Sequence, residues 1–281
     1  MSKFRKVEYH IQQLRELQSI ITSMKTLSQL ELRKLTGRAE HYREIAGVLQ
    51  EMVDDYMVNF PQPHPIAGDD LVMVIGSERG FCGPFNELLG EALLTGQASV
   101  KEKPWRVLAI GRKLCSHLDD RLPGYIPLAG AGTSEEIATV LPRIVTTVQR
   151  QMGEQKCTKL LVLSHGDEEG VVAVSHLLPP KPVQKEREKL IPPHLYLEQA
   201  VFFREFLSHY LYLSVIRLFT VSLMVENRYR VEHLGGAVHR LDERLQTLCT
   251  KARSLRQEEI TEEIEMILLG SGTFDAGSSG F

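Results

Sequence analysis

Three short stretches of this chain hold residues whose types could do chemistry. The first, Gly76-Ser77-Glu78-Arg79-Gly80, follows an apolar run and precedes a segment of helical period, which is the strand, glycine turn and helix order of a phosphate site. It has no Gly-Lys-Ser/Thr ending and no G-x-G-x-x-G spacing, so it lacks the cradle and the lysine that hold a nucleotide. The second, Gly111-Arg112-Lys113, continues into Leu114 and fails the same test. The third is Cys82 in Gly80-Phe81-Cys82-Gly83, where a thiolate at a helix N-terminus could act as a nucleophile. A small thiol packed in a tight turn is the simpler account, and it is the one taken. Histidines 64, 117, 165, 176 and 194 fall in different elements without an H-x-x-x-H pair, so metal ligation has no support. No nucleophile elbow is present either. These patterns predict no catalytic, cofactor-binding or metal residue.

The elements that would position such groups are unusual. From Phe4 to about Met57 there is no proline, and Val7, Ile11, Leu14, Leu17, Ile21, Met24, Leu27 and Leu30 recur every three or four residues. From about Leu197 to Leu269 there is again no proline, and Leu234, Val238, Leu241, Leu245, Leu248, Ala252 and Leu255 alternate steps of four and three. That heptad seam calls for a partner helix along its length. Helices of this size would reach about 80 and 100 Å at roughly 1.5 Å per residue, so the pair is expected to stand out as a rod from a domain about 40 Å across.

Between them the pattern predicts strands at Leu71–Ile75, Arg106–Ile110, Ile126–Leu128, Lys159–Ser164 and Val171–Leu177, the last two as a hairpin. Helices are expected at Phe85–Leu94 and from a capping-box-like Thr133-Ser134-Glu135-Glu136 to about Gln151, kinked at Pro142. This is an α/β arrangement, a small doubly wound sheet with an antiparallel edge. The expected division is an N-terminal coiled-coil helix over 1–58, a central Rossmann-like α/β domain over 68–195, a C-terminal coiled-coil helix over 196–270 and a flexible Gly/Ser tail over 271–281.

A net charge of −3 makes no global demand for nucleic acid. Basic residues are nevertheless concentrated on the helices, nine Lys/Arg against five acids over 2–50 and seven against four over 226–256, before an acidic run at 258–265. This is the solvated face of a helix or a basic rod facing acidic partners. Four scattered cysteines without C-x-x-C suit a reducing cytoplasm, and membrane association is expected only through partners. Leu211–Val225 is the most apolar stretch, interrupted by Arg217.

Ser77-Glu78-Arg79-Gly80-Phe81-Cys82-Gly83-Pro84-Phe85-Asn86 resembles the S-D-R-G-L-C-G-G-x-N signature of the gamma subunit of F-type ATP synthases. Arg256-Gln257-Glu258-Glu259-Ile260-Thr261-Glu262-Glu263-Ile264 is similar to that family's R-Q-x-x-I-T-x-E-[LI] ending. Glu226, Arg230, Leu234 and Ala237 fit its S-E-x-x-x-R-M and M-x-x-A segments, and Ile20, Met24, Lys25 and Ser28 fit its first helix. Gly111-Arg112-Lys113 and Leu177-Leu178-Pro179 follow in order, so the resemblance spans the chain. Departures include Val225, Val231, Arg240-Leu241, Met266 and the helix-weakening pair Gly235-Gly236. They suggest a divergent branch, with a variant, sodium-translocating operon as one setting; the coupling ion, proton or sodium, stays open.

The resemblance implies a central rotor shaft coupling ion flow to ATP synthesis or hydrolysis, without chemistry of its own. It implies alpha and beta subunits, an epsilon subunit and a membrane c-ring as partners, at the cytoplasmic face of a bacterial or archaeal plasma membrane. It further implies partner contacts at Met24, Lys25, Arg228 and Arg230, at Arg256, Gln257 and Thr261 higher on the last helix, and at Ile264 in an apolar bearing. An autonomous coiled-coil scaffold with an α/β binding module is the alternative, and a small enzyme using Cys82 is a further rival.

Overall fold

The computed structural model describes residues 3–60, 68–95, 105–154, 157–166, 171–181 and 195–272. The elements are α1 (Lys3–Asn59), β1 (Asp70–Ile75), α2 (Phe85–Leu94), β2 (Trp105–Ile110), α3 (Arg112–Leu118), β3 (Ile126–Leu128), α4 (Ile137–Glu154), β4 (Lys159–His165), β5 (Val172–Leu178) and α5 (Gln199–Gly272). The proline break at 61–65, the turn at 167–170, most of the 179–193 loop and the tail from 273 on lie outside the described residues. Compactness divides the chain into a unit over Leu27–His233 and a unit made of the stretches before Leu27 and after His233.

In the larger unit the strands form one five-stranded sheet in the order β3-β2-β1-β4-β5, parallel except for the antiparallel β4–β5 edge. All six residues of β1 are buried, because a strand between two parallel neighbours has both faces covered. The core is a single cluster joining the strands to Leu35, Ala39, Leu49 and Val53 of α1 and to Val215, Phe219, Leu223 and Val225 of α5. The apolar stretch of α5 is long and apolar enough to cross a membrane, but 56% of it is buried within the fold. It is a core helix here.

Two local expectations need correction. Helix α4 begins at Ile137 rather than at Thr133, because the acids of the expected capping box are held elsewhere. Glu135 pairs with Lys34 at 2.9 Å, and Glu136 takes Arg79 and the Gly132 N–H. The Glu136 carbonyl accepts the first helical bonds, from Thr139 and Val140. The second correction is α3, which follows β2 at once where only a strand end is legible.

In the smaller unit α1 and α5 run antiparallel in constant register. From Phe4, beneath the Arg256 guanidinium, fourteen residues up α1 lead to Gln18; fourteen down α5 lead to Asp242, its hydrogen-bond partner. Seven more reach Lys25 and Gly235, which touch. The α5 seam is the expected one: Leu245 and Ala252 are buried and Val238, Leu241, Leu248 and Leu255 half-buried, while the residues flanking them are mostly exposed. The α1 seam differs from expectation. Phe4, Val7, Ile11, Leu14, Gln18 and Ile21 face inward, whereas Leu17 and Ile20 are exposed. Farther along α1, inside the larger unit, Ser28 is buried and Leu27 and Leu30 are exposed. Two apolar stripes share one helix, and sequence period alone merges them.

Candidate functional site

The turn after β1 is built from close backbone approaches. A Cβ on Gly76 would stand 2.3 Å from that of Leu114, and one on Gly111, whose φ is +105°, would stand 2.5 Å from the Ser77 carbonyl oxygen. Only glycine fits either place. Ser77 and Asn86 then lock the turn: the Ser77 N–H donates to Asn86 Oδ1 at 3.0 Å, and Asn86 Nδ2 donates to Ser77 Oγ at 2.7 Å. Asn86 lies in α2, so the turn and the helix after it are one piece.

Glu78 answers the question of phosphate. Its carboxylate accepts the N–H groups of Arg112 at 3.0 Å and Gly130 at 2.9 Å, and it pairs with the Arg112 guanidinium. An anion is favoured where backbone N–H groups converge at a helix start, and the chain supplies that anion itself. The usual ligand crevice of an open α/β sheet, at the ends of the strands where their order reverses, is also filled. That point is between β1 and β4. There Ser222 of α5 donates to the Ile75 carbonyl at 3.2 Å, and His165 at the end of β4 stacks on Phe85 at 4.2 Å and meets the tilted ring of Tyr229 of α5 at 5.8 Å. Burial lowers the His165 pKa, so the ring is neutral and donates through Nε2 to the Phe85 carbonyl at 2.9 Å. Among the described residues no grouping of three or more His, Cys, Asp or Glu could hold a metal ion.

Arg230, placed by sequence on a partner-facing surface, is 5% exposed. Its guanidinium pairs with buried Glu226, takes Asn227 Oδ1 at 3.0 Å, and donates to the carbonyls of Gly80 at 3.1 Å and Arg79 at 3.5 Å. With its donors committed to the turn, Arg230 has little surface left for a partner; it mounts the turn on α5. Burial raises the Glu226 pKa to about 7 against the pull of that guanidinium. Cys82 is buried, its thiol 3.4 Å from Ser77 Oγ, and burial pushes its pKa up. A buried thiol with its pKa raised fits packing in the turn.

The next residue out from those two carbonyls is Phe81, which sequence reading passed over. It has φ of +62° and is 57% exposed. A bulky residue at positive φ costs roughly 1–3 kcal/mol, which the surroundings must offset. Here Arg230 fixes the preceding carbonyls, so the ring is offered outward on a rigid mount. The sequence signal was its place between a glycine and a buried cysteine in the turn.

The remaining expected contacts do not converge on one cavity. Met24 and Lys25 are half-buried, the lysine lying over Gly235, where the missing side chain leaves room: a Cβ there would meet Nζ at 3.5 Å. Arg228 is half-buried in the larger unit. Arg256, Gln257 and Thr261 are exposed along the end of α5, the Thr261 hydroxyl donating back to the Gln257 carbonyl at 2.9 Å. Ile264 is 52% exposed, with Ile260, Met266, Ile267, Leu268 and Leu269 exposed beside it. Ile264 does not pack as a seam against α1.

An α/β fold whose ligand positions are taken by its own side chains, in one chain with an antiparallel helix pair that leaves apolar residues exposed, defines a shaft-type assembly subunit. Comparison with known proteins agrees. Residues 3–273 match the family model described as ATP synthase. The ATP synthase gamma chain of Clostridium botulinum (strain Langeland) is 25% identical over 94% of this chain and 96% of its own length. That of Lawsonia intracellularis is 22% identical over 96% and 99%. In fold, the chain is similar to one from the Euglena gracilis mitochondrial ATP synthase (TM-score 0.65, 15% identity, covering 99% of this chain and 96% of that one). It is also similar to one from the Tetrahymena thermophila mitochondrial ATP synthase central stalk and c-ring (TM-score 0.57, 18%, covering 78% and 99%). This chain belongs to the ATP synthase gamma-subunit family. Its role is that of the rotor shaft in the membrane-associated ATP synthase.

Proposed function

We propose that this chain carries no chemistry of its own and couples proton or sodium flow to ATP synthesis and hydrolysis on beta subunits. The observation that carries this is the helix pair: closed in register along one seam, yet exposing Leu17 and Ile20 on α1 and Ile260, Ile264 and Ile267 on α5. Exposed apolar stripes on an otherwise satisfied coiled coil call for a sheath, here a ring of alpha and beta subunits. An asymmetric shaft in such a ring touches three identical beta subunits differently. It biases each one's open and closed states only by its differential contact with them. Met24, Lys25 and Arg228 would meet beta, as would Phe81 on its mounted turn. Arg256, Gln257 and Thr261 would form a state-dependent catch, and Ile264 would turn in an apolar bearing. An epsilon subunit and a membrane c-ring would complete the rotor at the cytoplasmic face of a bacterial or archaeal plasma membrane.

The test is co-expression with alpha and beta. A complex holding one copy of this chain, with ATP-driven rotation of a bead fixed to it, is expected. The isolated chain should show no ATP binding by calorimetry, and micromolar affinity would overturn the reading.

A further inference from the structure

A groove of about 540 Å³ opens between β3 and α4, away from the turn that carries Phe81. Its apolar lining includes Ile126, Pro127 and Pro142, and its polar lining includes Arg143, Thr146 and Arg150, with no acidic side chain among the residues that line it. β3 is the outermost strand of the sheet, so one side of it has no neighbouring strand. Pro127 at its centre has no N–H to offer, which argues against a simple added strand and leaves side-chain recognition.

The two arginines stand apart from the others of the α/β fold. Arg79 pairs with Glu136, Arg106 with Asp69 and Arg112 with Glu78, while Arg121 leans on His117. Arg143 and Arg150 are exposed, and among the described residues neither has a carboxylate partner. Seven residues apart on α4, they lie on one face about 10 Å from each other along the axis. An extended chain advances roughly 3.3 Å per residue and its alternate side chains share a face, so acids two or four residues apart, about 7 or 13 Å, bracket that spacing and lie within reach of both long guanidinium side chains, while the residues between them meet the apolar floor. One small anion is too short to do so unless both side chains swing together. Two isolated charges beside an apolar floor also fit a nucleic-acid backbone poorly, since such backbones are met by many cations.

We propose that this groove is a docking site for an extended acidic segment of a partner subunit in the assembled enzyme. The inference rests on the rotor reading and adds a second interface, distinct from the beta-facing residues. The test uses the complex purified with alpha, beta, epsilon and c-ring subunits, with the photo-crosslinker p-benzoylphenylalanine in place of Thr146. Irradiation should join this chain to a single peptide of a partner bearing at least two acids near the attachment point. Charge complementarity predicts that Arg143→Glu with Arg150→Glu lowers the yield at least about tenfold, and that Arg143→Lys with Arg150→Lys keeps it within about twofold. An intact complex that gives no protein crosslink, a crosslink to lipid alone, or equal yield from the glutamate pair would overturn the docking site and leave the rotor reading standing. Failure of the complex to form with the parent chain would overturn both.

Discussion

The two compact units manage their polar and apolar groups in opposite ways. In the Leu27–His233 unit the charged groups at the strand ends are closed on one another: Glu78 on Arg112 and two backbone N–H groups, Glu226 on Arg230, Arg230 on the turn. The helix pair closes one seam and leaves a run of large apolar side chains exposed from Ile260 to Leu269. The first arrangement is complete in the isolated chain; the second is complete only against something else. A fold with nucleotide-binding topology thus serves as a rigid mount, while the apolar surface left exposed on the helix pair is plain helix.

The sharpest way to break this comparison is Arg230→Ala. If Arg230 is a mount, its removal leaves buried Glu226, Asn227 and the Gly80 and Arg79 carbonyls without their partner and should destabilise the larger unit by about 3–5 kcal/mol in urea unfolding. A loss under about 1 kcal/mol, with coupling reduced, would return Arg230 to the partner-facing surface. Next is Ile11→Ala in the seam, expected to cost about 2–4 kcal/mol and to reduce helicity measured by circular dichroism. No change would mean that the seam is not the element holding the pair together.

A third test uses pH. The unfolded Glu226 has an ordinary carboxyl pKa, and the folded one is raised to about 7, so the folded state holds the proton more tightly in between. The stability this group contributes is full below the unfolded value and is lost as pH rises through about 7, by up to about 3 kcal/mol. His165, with its lowered pKa, acts in the opposite sense and loses its contribution as pH falls below the ordinary histidine value. Glu226→Gln isolates the carboxyl: the difference in stability between parent and variant should change between pH 5 and 8, and a constant difference would refute the assignment. The smallest expected effect is Ile264→Ala, within about 0.5 kcal/mol for the isolated chain because the side chain is already exposed. The same variant should weaken the complex with alpha and beta; equal stability in both settings would leave this end of α5 without a bearing.

The sheet was legible because its strands are short runs of Val, Leu, Ile and Met bounded by Gly, Pro or polar turns, and the α5 seam because its heptads are unbroken. The α1 seam was not, since period alone cannot choose between Leu17 and Gln18 when a second apolar stripe stays exposed on the same helix. Helix α3 was hidden by its length and by Gly111, which reads as a strand stop yet serves as the turn into a helix. The start of α4 depended on Lys34 and Arg79, residues remote in sequence that claim its first acids. Glu226 and Asn227 stand within one turn of Arg230, but the two turn carbonyls that Arg230 takes and the partners of Glu78 lie 34 or more positions away. Such pairings follow from tertiary packing, and no local window holds them.

The alternating four-and-three steps from Leu234 to Leu255 have a mechanical consequence. They average 3.5 residues per turn where a straight helix has about 3.6, so the seam drifts and two helices that keep it in contact wind about each other with a left-handed supercoil. Torque applied in the winding sense tightens the contact between Ile11, Leu245 and Ala252, and torque in the opposite sense loosens it. A shaft of this construction is a chiral spring, stiffer to one direction of rotation than to the other.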